Sequence, residues 1–153
     1  MTTAMVAIEG VLGNSPSFQV NMQTDEVGRR LHAALSSWYR VVLVTSETDT
    51  TKVSYWLAMQ GFTEVDDLLV NTTDHIHPAK VRAHQLRALR ARRTPVTLVV
   101  DGEPEFVAHA MAQGVVGLFY GTARRAHIRE DLAPQPIRSW GAILDEIAVQ
   151  RSP

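Results

Sequence analysis

The chain contains no cysteine among its 153 residues. Without a thiol it can form neither a disulfide nor a thiolate zinc site, and a cysteine nucleophile is excluded. It also lacks a dominant charge, because 15 Lys and Arg against 16 Asp and Glu give a formal net charge of -1. A total charge this close to zero provides no general attraction to nucleic acid or to an anionic membrane.

Long apolar runs are missing as well. No stretch approaches the ~20 residues that a membrane-spanning helix needs. The first residues lack the basic segment and long apolar stretch of a secretion signal. We therefore expect a cytoplasmic protein with no membrane partner. The length of 153 residues and the hydrophobic content of 45% predict a single domain over residues 1–153 with one full core.

Short apolar runs alternate with helical patterns along the chain. The runs predict strands within residues 5–12, 41–44, 65–70, 96–100 and 115–120, with a short exposed strand at 18–22. The helical patterns lie at residues 25–39, 49–60, 79–93, 104–113 and 139–149. Consecutive apolar positions are typical of strands that are covered on both faces. The pattern predicts an α/β protein with a three-layer α/β/α Rossmann-like fold and a mainly parallel five-stranded sheet, in which the first strand is central.

Polar side chains collect where these strands end. In parallel sheets, ligands bind at the carboxyl ends of the strands. The candidate site residues at this edge are Glu9 after the first strand, Thr45 and Ser46 after the second, Lys80 at a helix start, and Asp101 and Glu105 after the fourth.

These residues, in this order, resemble the four motifs of the haloacid dehalogenase (HAD) superfamily of phosphohydrolases. Residues 7–12, Ala-Ile-Glu-Gly-Val-Leu, fall where the family has Asp-x-Asp-Gly-Thr/Val-Leu. Residues 41–45 match its apolar run ending in threonine or serine, Lys80 stands for its third motif, and residues 99–105 match its acidic fourth motif. The resemblance covers the chain from about residue 6 to residue 120 and implies an HAD-like fold.

The resemblance also implies roles for these residues. In the family, a first aspartate forms an aspartyl-phosphate and a second acts as general acid and base. Glu9 stands at the acid/base position. The resemblance implies phosphate binding by Thr45, Ser46 and Lys80. It implies magnesium binding by Glu9, Asp101 and Glu105, because magnesium prefers carboxylate oxygens.

The sequence departs from the family at the nucleophile, where Ala7 stands. A methyl group can neither attack phosphorus nor bind a metal. In a register shifted by two residues, Glu9 becomes the first carboxylate, but Val11 then occupies the acid/base position. We therefore expect a non-catalytic binding or interaction protein that retains part of a phosphate/magnesium pocket. The alternative is a magnesium-dependent phosphohydrolase, acting on nucleotides or nucleic-acid ends, that uses Glu9 or Asp101 in a rearranged site.

Each candidate also has a purely structural explanation. Thr45 and Ser46 can cap the following helix. Lys80 can be one more solvated charge on a basic helix. Asp101 and Glu105 can serve as cap and first-turn acid of the helix that starts at Pro104, because acids are favoured at helix amino ends.

The segment before the second strand is too short for a large cap domain. Capless members of the family act on large substrates or take a lid from a partner, so the resemblance implies a phosphorylated ligand or a macromolecular partner. Basic residues of the helix at 79–93, with Arg124, Arg125 and Arg129, form a potential patch for nucleic acid or a nucleotide phosphate. A solvated face is the favoured explanation, because no aromatic side chains interleave for base stacking.

Overall fold

The computed structural model describes residues 1–63 and 65–121. Within them, Met1–Phe119 form a compact unit. Its strands are β1 (Thr3–Ala7), β2 (Arg40–Val44), β3 (Asp67–Leu69), β4 (Val96–Asp101) and β5 (Val116–Phe119), and its helices are α1 (Glu26–Ser36), α2 (Thr50–Met59), α3 (Pro78–Ala91) and α4 (Pro104–Ala112). The predicted helix at 139–149 and the arginines at 124, 125 and 129 lie outside the described residues. A single domain over 1–153 stays a prediction.

The five strands form one sheet in the order β3-β2-β1-β4-β5, and every neighbouring pair is parallel. This confirms the predicted α/β Rossmann-like fold with the first strand in the centre. All five residues of β1 are buried, as the consecutive apolar residues at its positions require. The ends of β1, β2 and β4 therefore lie side by side at one edge of the sheet.

The helices cover both faces of the sheet. Right-handed crossovers place α1 and α2 on one face and α3 and α4 on the other. Arg29 of α1 lies 4.7 Å over the Phe62 ring, which also stacks on Trp56 of α2 with centroids 6.0 Å apart. On the opposite face, Arg90 of α3 donates to the Gln113 side chain after α4 at 2.9 Å. Among the described helices, none has the length and apolar character needed to cross a membrane.

Two strand predictions were wrong in detail. The expected strand at residues 18–22 is a loop, in which Met22 is buried and its carbonyl accepts a hydrogen bond from Trp56 Nε1 at 2.9 Å. The third strand is shorter than predicted. Asp66 precedes it, and its carboxylate accepts from the Val41 backbone N–H at 3.2 Å, so this side chain is held at the start of β2.

Candidate functional site

A tight turn after β1 directs Glu9 toward the end of β2. The backbone N–H groups of Leu12 and Gly13 both donate to the Ile8 carbonyl at 2.9 Å. Gly10 has a φ of 86°, a left-handed conformation that glycine adopts without steric cost. From this turn, Glu9 Oε1 accepts a hydrogen bond from the Ser46 backbone N–H at 2.6 Å.

The cation at this edge of the sheet is Arg82 of α3. Its Nη2 donates to Glu9 Oε1 at 2.7 Å, its Nε to Asp101 Oδ2 at 2.9 Å, and its Nη1 to Ser46 Oγ at 2.9 Å. We call Glu9, Ser46, Arg82 and Asp101 the Arg82 cluster. The three charged members are buried, with only 3%, 1% and 2% of Glu9, Arg82 and Asp101 exposed. One guanidinium thus joins the ends of β1, β2 and β4.

The two carboxylates share a single arginine, and their pKa values move in opposite directions. Burial alone raises the pKa of Glu9, but the charge of Arg82 and hydrogen bonds from Arg82 and the Ser46 N–H outweigh burial and lower it. Burial also raises the pKa of Asp101. Arg82 opposes this and the Glu9 charge adds to it, so the pKa of Asp101 stays above its ordinary value.

Of the three predicted phosphate-binding residues, Thr45 and Ser46 have partners within the chain, whereas Lys80 lies outside the Arg82 cluster. Thr45 is fully buried, and its Oγ1 accepts from the Glu47 backbone N–H at 3.0 Å. Ser46 uses both its N–H and its hydroxyl within the Arg82 cluster. Lys80 is exposed, and its side chain forms no hydrogen bond or ion pair within residues 1–63 and 65–121. Arg82, rather than Lys80, supplies the buried cation.

Of the predicted metal-binding residues, Glu9 and Asp101 meet in the Arg82 cluster, and Glu105 lies apart from them. Glu105 is exposed on α4, with its Oε2 3.7 Å from His77 Nε2. Asp101 uses Oδ1 to accept from the Glu103 N–H at 3.0 Å and Oδ2 to accept from Arg82. The described part of the chain holds no group of three or more His, Asp or Glu side chains placed for a metal. Because the Arg82 guanidinium lies between Glu9 and Asp101, these residues do not fit magnesium.

The sequence analysis missed Arg82 and Gln85, although their positions carried a signal. Both share the helical spacing of buried Leu86 and Leu89 on α3, and all four side chains are buried. Gln85 Nε2 donates to the carbonyls of Thr45 at 2.9 Å and Leu69 at 3.3 Å. A basic residue on the apolar stripe of a helix indicates a buried cation, which needs an acidic partner.

Two buried acceptors at this edge have no partner within the described residues, Glu9 Oε2 and Gln85 Oε1. Glu9 thus makes all its side-chain hydrogen bonds through Oε1, which receives both Ser46 N–H and Arg82 Nη2. The other oxygen, Oε2, makes no hydrogen bond in the described part of the chain and only adds to the negative charge of a cluster that holds two carboxylates and one cation.

Because only one oxygen of Glu9 makes hydrogen bonds with residues that the structure describes, we expect Glu9→Gln to have a small effect on stability. The amide oxygen still accepts both hydrogen bonds, and the remaining Arg82–Asp101 pair is electrically neutral. The new amide N–H group is a buried donor without a partner, and its cost opposes the relief of charge. We expect the free energy of unfolding at pH 7 to change by less than about 2 kcal/mol, as measured by urea unfolding. A loss as large as that of an Arg82 variant would show that the Glu9 charge itself is required.

Comparisons with known proteins do not assign the chain to a family. No protein-family model matches it, and no curated protein matches it at a significant level. The similarity to the HAD motifs therefore stays a resemblance, and the function is argued from the Arg82 cluster.

Proposed function

We propose that this chain is an HAD-like domain that does not transfer phosphoryl groups and acts by binding a partner. The observation that supports this proposal is Arg82, bound at once to Glu9, Ser46 and Asp101. Ala7, at the position of the family's nucleophile, is fully buried and carries no nucleophilic atom.

The Arg82 cluster supplies internally the charges that a phosphotransfer site takes from its ligands. Phosphoryl transfer relies on a metal cation at the carboxylates and on donors around an anionic phosphate. Here the cation is the Arg82 guanidinium, and the anion that accepts the Ser46 N–H is the Glu9 carboxylate. The carboxylates that would bind a metal and the N–H donor that would bind a phosphate are therefore already occupied by residues of the chain itself.

Displacing this internal pair is costly. Removing one partner from a buried ion pair costs about 3–5 kcal/mol, because the other charge is left uncompensated. An incoming metal ion or phosphate supplies a charge of the same sign as the side chain that it displaces, so its cost is smaller and consists of the buried hydrogen bonds that it breaks, each worth about 1.5–3 kcal/mol. We infer that millimolar magnesium and phosphate esters do not occupy the Arg82 cluster.

The proposal predicts no magnesium-dependent turnover of phosphomonoesters or nucleotides by the purified protein. Released phosphate should stay at the level of a protein-free control in a panel that includes nucleotides and 5′- and 3′-phosphorylated oligonucleotides. The reason is the absence of a nucleophile at position 7 together with an arginine in place of the metal.

Matched variants make this assay decisive. Glu9→Gln and Asp101→Asn each remove one of the two candidate acid/base residues, while Asp74→Asn removes an exposed acid without touching the Arg82 cluster. Turnover that Glu9→Gln or Asp101→Asn abolishes and Asp74→Asn preserves would overturn the proposal and establish the alternative, a magnesium-dependent phosphohydrolase with a rearranged site.

A further inference from the structure

Helix α3 carries a basic surface that the Arg82 cluster does not use. Residues 75–100 contain no Asp or Glu. Apart from buried Arg82, the Lys and Arg side chains of this segment are all exposed, and we call them the α3 basic surface: Lys80, Arg87, Arg90, Arg92 and Arg93. At 3.6 residues per turn, Lys80, Arg87 and Arg90 lie within an arc of about 80° on one side of the helix.

The charge of this surface is not neutralised within the described chain. None of its five residues forms an ion pair with residues 1–63 or 65–121, and the side chain of Arg90 donates only to the Gln113 side chain and carbonyl. Two arginines outside α3 do have acidic partners, since half-buried Arg29 pairs with Glu26 and Arg40 with Asp67, whereas exposed Arg30 forms no ion pair within the described residues. Within the part of the chain that the structure describes, the positive charge of α3 is therefore open to a partner.

The stability of the helix does not explain this arrangement. Lys80 lies in the first turn of α3, where no acid is present and where the helix dipole disfavours a cation. Arg93 follows the helix with a φ of 58°, in the left-handed region that glycine usually fills after a helix. Lys80 thus carries a charge that the helix start disfavours, and the backbone strain at Arg93 points to a role outside the fold.

We propose that the α3 basic surface binds the phosphate backbone of a nucleic-acid duplex. Lys80 and Arg90 are about 15 Å apart along the helix axis, a length over which one strand presents about four phosphates. Most of the surface is arginine, whose guanidinium matches phosphate oxygens with two parallel hydrogen bonds. The site lies apart from the Arg82 cluster and goes beyond the proposed loss of phosphotransfer.

The side chains around this surface favour a duplex over other polyanions. Helix α3 has no Phe, Tyr or Trp, so it offers no platform on which the bases of a single strand could stack. No large apolar side chain is exposed on the helix itself, and Ile76 just before it is a single exposed residue, so α3 lacks the apolar face of a helix that lies in a membrane surface. Backbone contacts to a duplex require neither feature.

The test is fluorescence anisotropy with a labelled DNA duplex and an RNA duplex of the same mixed sequence. Four phosphate contacts predict that affinity for DNA falls by roughly 150-fold between about 50 and 200 mM salt. The two duplexes share the backbone chemistry, and the tighter complex identifies which kind the surface prefers. A net charge of -1 for the whole chain gives no general attraction that could produce this binding.

A charge-matched pair of variants locates the contact. Lys80→Gln/Arg87→Gln removes two charges from the arc of the α3 basic surface, and Arg30→Gln/Lys52→Gln removes two exposed charges from α1 and α2. The double variant on α3 should make the slope of log affinity against log salt concentration less steep by about 2. The double variant on α1 and α2 should leave this slope near that of the wild type. The side chains of Lys80 and Arg87 are exposed and form no hydrogen bond or ion pair within the described residues, so their double variant should melt near the wild-type temperature and its weaker binding is not a folding defect.

Three results would overturn the proposal: no binding of either duplex at low salt, equal losses in the two double variants, or tighter binding to a single strand, polyglutamate or anionic vesicles. None of these results bears on the turnover assay, because that assay reports on the Arg82 cluster alone.

Discussion

The Arg82→Met variant is expected to lose about 3–5 kcal/mol of unfolding free energy at pH 7. Methionine fills a similar volume, but it leaves Glu9 and Asp101 buried without their common cation. This loss is a large fraction of the roughly 5–15 kcal/mol that stabilises an ordinary domain. Urea unfolding of the variant and of Lys80→Met measures it. Lys80 lies on the same helix but is exposed, so its variant should unfold close to wild type.

The pH dependence of this loss should have a defined sign. Burial raises the pKa of both Glu9 and Asp101, and Arg82 is the charge that opposes it. Without Arg82, both folded-state pKa values rise above their unfolded values, so the folded variant binds more protons as the pH falls. Its deficit relative to wild type should be fully present at pH 8 and should narrow toward pH 5. A deficit that is constant with pH would mean that lost packing, rather than charge, causes the effect.

A triple variant without any charge in the Arg82 cluster further separates the effect of charge on stability from the effect of packing. Glu9→Gln/Arg82→Met/Asp101→Asn removes the cation and both buried carboxylates. Replacing all members of a buried ionic cluster by neutral groups is far less costly than removing one member. We expect it to recover at least half of the stability that Arg82→Met loses. No recovery would show that Arg82 is needed for a reason other than charge compensation.

The second large effect is expected for Ala7→Asp, the substitution that places an aspartate where the HAD motif has its nucleophile. Ala7 is fully buried in the central strand, and the new carboxylate joins a sheet edge where two carboxylates already share one arginine. We expect a loss of about 3–5 kcal/mol at pH 7. The variant should gain no phosphatase activity, because Arg82 still occupies Glu9 and Asp101.

Ala7→Asn is the matched control for this experiment. It adds nearly the same volume without charge, so the difference between the two variants isolates the carboxylate. Thermal melts with and without millimolar magnesium should show equally small metal responses in both, since a ligand stabilises only when the folded state binds it. A magnesium response confined to Ala7→Asp would contradict the account and reveal a metal site beside position 7.

Much of the fold was accessible from the sequence because each strand carries its own signal. The apolar run at β1 predicted a strand covered on both faces, and its five buried residues confirm it. The bounds of β3 were harder to predict, because this strand at the sheet edge is short. Where it begins depends on a single contact. The Asp66 carboxylate accepts from the Val41 N–H, and the sequence contains no sign of that hydrogen bond.

The site was only partly predictable, and α3 shows why. Glu9 and Asp101 follow buried strands, so topology alone places them at the same edge. Lys80 and Arg82 are two residues apart and therefore project about 200° apart around the helix. The motif resemblance pointed to Lys80, whereas the apolar spacing with Leu86 selects Arg82. Only the geometry shows that one guanidinium reaches both carboxylates and Ser46.

The most direct test of the central claim is a crystal structure of the wild-type protein soaked in magnesium and inorganic phosphate. The account predicts that Arg82 Nη2 stays about 2.7 Å from Glu9 Oε1 and Nε about 2.9 Å from Asp101 Oδ2, with no ion between the carboxylates. A magnesium ion bound to Asp101, with Arg82 displaced and phosphate on the Ser46 N–H, would contradict it.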